Sequence, residues 1–304
     1  PEGGGLAKKV NVEVLMSDSL VENEIYVLIH GFNNHQGEAE FAYQGFRDRQ
    51  TEQLQPQRYW RLTKQLRDTF WPGDAEWTQP LDCIDFMVYP KAVGVARNAG
   101  KKLAAFLVGL DAPKIVNFIG HSLGCRLILE TVLGIQKLDQ AELVGKICLM
   151  AAAVPVFMLT EGERLDKAGF VPDEILNLTS KSDRVLHYAF PAGQTAAGPS
   201  SEGFFPGALG RHGMIHARIR NRIIYKANHG DYWGHIGRDG GNERRRSILA
   251  NKYVAELFGW KRLKKRTIDS RQVAYEQESR NFETKLKKDR LPGYSRRIRS
   301  RTLS

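Results

Sequence analysis

The sequence predicts an α/β protein: a mostly parallel central sheet with helices on both faces, followed by a basic C-terminal extension. Three observations predict it. Short β-branched runs alternate with segments of helical period over the first 260 residues. With 304 residues and 42% hydrophobic content, the chain can bury the core of one large domain. Charge is also partitioned: 15 Lys or Arg and five Asp or Glu fall in 261–304, a net of +10 out of the chain's +11. The body, 1–260, is therefore nearly neutral, and the extension, 261–304, is expected to be electrostatically separate from it.

Taken in order, Val10–Leu15 alternates like a half-exposed strand, and Glu24–Ile29 (EIYVLI) reads as a buried strand ending at His30-Gly31. Gly37–Gln50 and Tyr59–Phe70 read as helices separated by Pro56 and stopped at Pro72-Gly73. Cys83–Tyr89 reads as a strand, and Ala92–Leu110, apolar at 92, 95, 96, 99, 103, 106, 107 and 110, as a helix. Lys114–Ile119 is the next strand and Leu123–Ile135 the next helix; Lys146–Val154, Glu174–Leu178 and Arg222–Lys226 are further strands, and Arg244–Phe258 a closing helix. Phe190–His216, rich in Gly, Pro and Ser, lacks a period and is expected to be a long lid or substrate loop.

The chemistry centres on Gly120-His121-Ser122-Leu123-Gly124, which directly follows the apolar run KIVNFI and precedes an apolar helix. A sharp strand-to-helix turn strains the backbone of its central residue and leaves room only for small neighbours two residues away, a need that Gly120 and Gly124 meet. Such a turn puts the Ser122 hydroxyl at the C-terminal edge of the sheet, beside a helix N-terminus that favours developing negative charge. A second motif, Tyr26–Asn34 (YVLIHGFNN), ends the early strand.

GHSLG in this context resembles the nucleophile elbow of α/β-hydrolases, and HGFNN resembles the oxyanion loop of a bacterial, lipase-like branch, many members of which have no known function. The resemblance covers about 24–258 and not the basic extension. It implies Ser122 as nucleophile, and the backbone amides of Phe32 and Leu123 as the oxyanion hole, with Asn33 a further candidate. His30, Gly31 and His121 would shape the loop and line the elbow. The family order of Ser, acid, His implies Asp183, just after the strand EILNL, as the acid; Asp173 precedes that strand and belongs to the wrong edge. His229, past the last strand and followed by x-x-Tyr-Trp, is implied as the base, with His235 its competitor.

Other patterns lead elsewhere. Gly94–Lys102 has the wrong spacing for a phosphate loop and falls inside an amphipathic helix. His212 and His216 are four apart but are interrupted by Gly213 and lack a carboxylate motif, so no metal is expected. Cys83, Cys125 and Cys148 are too few and odd in number for a disulfide framework and fit buried thiols in a reducing compartment. Neither a signal peptide nor a transmembrane run is visible, so a cytoplasmic location is expected.

The function expected from these residues is cleavage of a carboxylic ester, small-molecule or lipid, through an acyl-enzyme and without a cofactor. An amidase or thioesterase on the same fold, and an inert scaffold that only binds, are the alternatives. The basic extension is expected to contact an anionic membrane, nucleic acid or an acidic protein, or else to be a solvated or weakly docked segment.

Overall fold

A computed structural model of the chain describes residues 22–32, 36–73, 85–198, 201–234, 241–260 and 270–289, with side chains omitted at 85–88 and 286–289. The expected strand at Val10–Leu15 lies outside these residues, as do Cys83, Asn33 and His235.

The first strand is β1 (Glu24–Ile29), whose boundaries agree with the sequence reading. Its side chains alternate between two cores: Ile25, Val27 and Ile29 enter one, and Tyr26 and Leu28 the other. This is why the run is apolar throughout rather than alternating. Helices α1 (Gln36–Gln53) and α2 (Pro56–Gln65) follow. Pro56 begins α2, where its missing N–H costs no bond.

Beyond α2 the chain departs from the expected helix: Leu66–Thr69 is β2, a short strand pairing in parallel with β1 at the sheet edge. Its sequence, LRDT, has one buried residue, Leu66. The pairing partner decides its conformation, and no local period announces it.

Helix α3 (Asp85–Val108) carries a second correction. Residues 85–89, expected to be the body of a strand, are its first turns, and Pro90 lies inside the helix. A short apolar run does not distinguish a buried strand from a buried helix, and here the helical period of 92–107 extends backward through it.

The centre of the molecule is β3 (Ile115–His121), α4 (Leu123–Lys137) and β4 (Val144–Met150). The short helix α5 (Asp166–Phe170), β5 (Ile175–Thr179), α6 (Phe190–Ala197), α7 (Leu209–His212) and β6 (Ile219–Ile223) come next. The expected long loop thus contains α6 and α7. Neither has a strong apolar stripe; α6 is held by packing on α3. Helices α8 (Gly241–Leu257) and α9 (Ser270–Asp289) complete the described chain.

The six strands form one sheet in the order β2-β1-β3-β4-β5-β6. Every adjacent pair is parallel. One face packs on α3 and α4 through residues such as Phe118, Leu127 and Ile147. The other packs on α1 and α8 through Phe46, Met150, Leu249 and Val254. Because all strands run the same way, the loops after β1, β3, β4, β5 and β6 share one edge, where α/β proteins place their sites. Cys125 and Cys148 are buried, free thiols. Among the described residues no helix is long and apolar enough to cross a membrane.

Helix α9 lies within the basic extension and is docked on the body. The Tyr275 hydroxyl donates to the Tyr225 carbonyl at 2.8 Å, and the Phe282 ring stands 5.1 Å from that of Tyr225. Glu283 pairs with Arg222 and Glu276 with Lys252. Val273, on the same helix, is exposed, and the side chain of Leu286 lies outside the described residues. The residues that grip the body are therefore acids and aromatics. Residues 261–269 and 290–304 hold ten Lys or Arg and one Asp, against five and four in Ser270–Asp289, so the positive charge flanks the docked helix.

Candidate active site

Ser122 joins β3 directly to α4, with no intervening loop. Its backbone sits at φ 53° and ψ −123°, a conformation costing of order 1–3 kcal/mol for a non-glycine residue. The surroundings enforce it. The Ser122 N–H donates to Met150 O at 2.9 Å, and its carbonyl accepts from the N–H groups of Cys125 and Ala153, each at 3.1 Å. A Cβ on Gly120 would stand 2.4 Å from Ile128 Cδ1, and one on Gly124 would stand 2.3 Å from the His30 carbonyl oxygen. Neither site accepts a side chain: the elbow lies flush against helix α4 on one side and the end of β1 on the other.

The Ser122 Oγ lies 2.8 Å from His229 Nε2. His229 Nδ1 lies 2.8 Å from Asp183 Oδ2. Asp183 is fully buried, and its second oxygen accepts the Leu186 N–H at 2.9 Å. A carboxylate can only accept here, so the imidazole proton resides on Nδ1 and Nε2 is left to accept the serine proton. The three residues come from the ends of three different strands: Ser122 after β3, Asp183 in the turn after β5, His229 in the loop after β6. Asp173 lies at the other edge, its carbonyl bonded to Arg218 ahead of β6.

The end of β1 is held by a set of polar contacts. The Tyr43 hydroxyl accepts the His30 N–H at 2.8 Å and donates to the Thr69 carbonyl at 2.6 Å. Trp71 Nε1 donates to the His30 carbonyl at 2.9 Å, and its ring stacks on the His30 imidazole at 5.7 Å. His30 Nδ1 donates to Gly31 O at 2.8 Å while Nε2 faces the Trp71 N–H at 3.3 Å. Burial drives the His30 pKa down to about 4, so the ring is a neutral structural group. Gly31 is pressed against the elbow, since a Cβ there would come 2.9 Å from Ser122 Cβ. Phe32, the next residue, packs edge-on against Tyr89 at 5.6 Å. Leu123 is the first residue of α4, so its N–H is one of the four that a helix leaves without an intrahelical acceptor. His121 Nε2 donates to the His229 carbonyl at 2.7 Å.

Sequence reasoning missed several residues that support this edge. Ser180 ties the two later loops together through its hydroxyl to Ala227 O at 2.7 Å. Asp231 accepts the Asn228 N–H at 2.7 Å and pairs with Arg246 at 2.6 Å, bracing the His229 loop from α8. Tyr43, Trp71, Asp231 and Arg246 carry no motif. The one usable hint was the run ANHGDYWGH, dense in polar and aromatic residues after the last strand.

His216 accepts the Arg218 N–H at 3.1 Å and packs on Phe170 at 4.4 Å, a structural use. Among the described residues no group of three or more His, Cys, Asp or Glu side chains could hold a metal ion. Residues 94–102 lie within α3 and form no loop.

A protein family of unknown function, DUF726, matches residues 80–199, a stretch that contains Ser122 and Asp183 but ends before His229. No curated protein matches the chain. Among solved structures, esterase 2 of Thermogutta terrifontis is similar at 14% identity and a TM-score of 0.39, over 78% of this chain and 85% of that one. An uncharacterized protein from Bacillus cereus ATCC 10987 is similar at 11% identity and a TM-score of 0.41, over 82% of this chain and 63% of that one. Est1E from Butyrivibrio proteoclasticus is similar at 10% identity and a TM-score of 0.36, over 78% of this chain and 90% of that one. This chain's own strand order, its all-parallel pairing and the strained serine between the third strand and its helix give it the architecture of the α/β-hydrolase fold.

Proposed function

We propose that the protein is a serine hydrolase that cleaves a carboxylic ester. The observation that carries this reading is the chain of two 2.8 Å contacts from Ser122 through His229 to Asp183. In the proposed reaction the Ser122 oxygen attacks the acyl carbonyl while His229 Nε2 takes its proton. The buried Asp183 carboxylate holds the imidazole in that tautomer and stabilises its protonated form. The amides of Leu123 and Phe32 are proposed to receive the oxyanion, each such donor being worth about 3 kcal/mol of barrier. His229 then protonates the leaving alcohol, and water, activated by the same imidazole, releases the acid.

An apolar acyl group or lipid ester is the proposed substrate class. Support comes from the segment between Asp183 and β6, which bears the exposed side chains of Tyr188, Phe204 and Phe205. A scaffold serving only to bind has no need of a strained serine within bonding reach of a histidine backed by a buried aspartate. For the basic residues of 261–269 and 290–304 we propose contact with an anionic membrane, nucleic acid or acidic protein, through charge attraction that weakens steeply with salt.

The test is a panel of p-nitrophenyl esters of increasing acyl length, with the matching anilides and thioesters. The reading expects turnover of esters, rising with acyl length over the first several carbons. Turnover of thioesters or anilides alone would move the assignment to those classes, and inertness throughout would favour the scaffold.

A further inference from the structure

The Ser–His–Asp contacts depend on two turns that are remote from the elbow in sequence. Each of those turns is gripped at its main chain by a side chain from another element. His121, the residue before Ser122, donates from Nε2 to the carbonyl of His229 at 2.7 Å. Arg211, on α7, donates from one guanidinium nitrogen to the carbonyl of Asp183 at 3.2 Å and also to that of Lys181. We infer that His121 and Arg211 are positioning residues that set the reach of the base and of the acid; this rests on the hydrolase reading above.

The geometry argues for positioning rather than general stabilisation. A carbonyl only accepts, so His121 must keep its proton on Nε2, and its ring is buried 4.9 Å from that of His229. The bond runs from the nucleophile's immediate neighbour to the backbone of the base itself. It fixes the spacing of Ser122 and His229 across one side chain, instead of along the 107 positions of chain from one to the other. On the other side, a single terminal nitrogen of Arg211, with its two N–H groups, bridges two carbonyls of one turn, residues 181 and 183. Helix α7 is itself anchored to the same edge. The Gly210 N–H donates to Ala152 O at 2.9 Å, and the Gly210 carbonyl accepts the Ser180 N–H at 3.0 Å. Arg211 therefore works from a fixed base. Displacing a reacting group by about 1 Å costs on the order of 100-fold in rate, so contacts that set such spacings act on kcat.

The experiment compares His121→Asn with His121→Gln, and adds Arg211→Met, using p-nitrophenyl butyrate and fluorophosphonate labelling. The Asn amide is too short to reach the His229 carbonyl, whereas the Gln amide nitrogen falls near the original Nε2. The expected result is a loss of kcat of about 10- to 100-fold in His121→Asn, with KM within about twofold, and recovery of most of that loss in His121→Gln. Arg211→Met is expected to lower kcat about 10-fold, also with little change in KM. Thermal melts come first; if one variant does not fold, the other carries the test from a separate element. Wild-type kcat in His121→Asn and Arg211→Met, or equal losses in His121→Asn and His121→Gln, would overturn the inference. A wild-type protein inert to both ester and probe would bring down the hydrolase reading, and this inference with it.

Discussion

The elbow and the two later turns reach the same edge of the sheet but are held in different ways. At the elbow the fixing is steric and local. Gly120 and Gly124 bring Ile128 and the end of β1 so close to Ser122 that the strained backbone has nowhere to relax. At the turns bearing Asp183 and His229 the fixing is polar and distant: Arg211, Ser180, His121, Asp231 and Arg246 tie main-chain groups across elements. The difference teaches that the strained geometry of Ser122 can be encoded in five consecutive residues. The placing of His229 and Asp183 needs a network, and its sensitivity to mutation is correspondingly spread out.

The largest effect that could break this comparison is at Asp183. Asp183→Asn keeps the size of the group but lets the imidazole take the wrong tautomer. Ester turnover should fall about 10⁴-fold with the melting temperature little changed. A fall of less than about tenfold would mean that the polar network, and not Asp183, orients His229.

The elbow should fail differently, through stability rather than rate alone. Gly124→Ala would place a methyl 2.3 Å from the His30 carbonyl, so the chain must shift. A loss of about 3 kcal/mol in denaturant unfolding is expected. An unchanged midpoint would show that the end of β1 yields readily and that the elbow is not sterically fixed.

His30 supplies a pH test of the same contact region. Its pKa falls from an ordinary 6.5 to about 4 on burial, so the unfolded chain binds the proton more tightly. The stability that His30 contributes is complete above about pH 6.5 and is lost as pH falls toward 4, by up to about 3 kcal/mol. A His30→Gln variant should melt at a temperature that depends less on pH across that window. Parallel pH profiles for the two proteins would contradict this.

The smallest expected effect is farthest from the site. Tyr275 fastens α9 behind β6, so Tyr275→Ala should cost about 2 kcal/mol of stability and leave hydrolysis of a small ester intact below the melting range. Loss of activity in a folded Tyr275→Ala protein would show that α9 acts on the His229 loop through β6.

How much was legible follows the same division. β1 is readable to the residue because EIYVLI is apolar on both faces, and the elbow is readable because sterics demand glycine at fixed offsets. Asp183 and His229 are nameable from the residue order that the α/β-hydrolase resemblance implies; in the structure His229 meets Ser122, and Asp183 meets His229. β2 was not legible, since LRDT becomes a strand only through β1. The first turns of α3 were misread because apolar runs of that length fit either structure. Arg211, Tyr43 and Trp71 act through contacts tens of residues away and leave no local pattern. Helix α9 was hidden inside a charge excess, although its grip uses Glu276, Glu283 and Tyr275.

The most direct measurement is the site of covalent modification. Native protein should be treated with a fluorophosphonate and digested, and the labelled peptide sequenced by mass spectrometry. The same should be done for a His229→Ala variant matched in thermal melt. The account predicts one label per chain, on Ser122, with the rate reduced by orders of magnitude when His229 is removed. A folded protein that takes no label, labels at another residue, or labels Ser122 equally fast without His229 would contradict it.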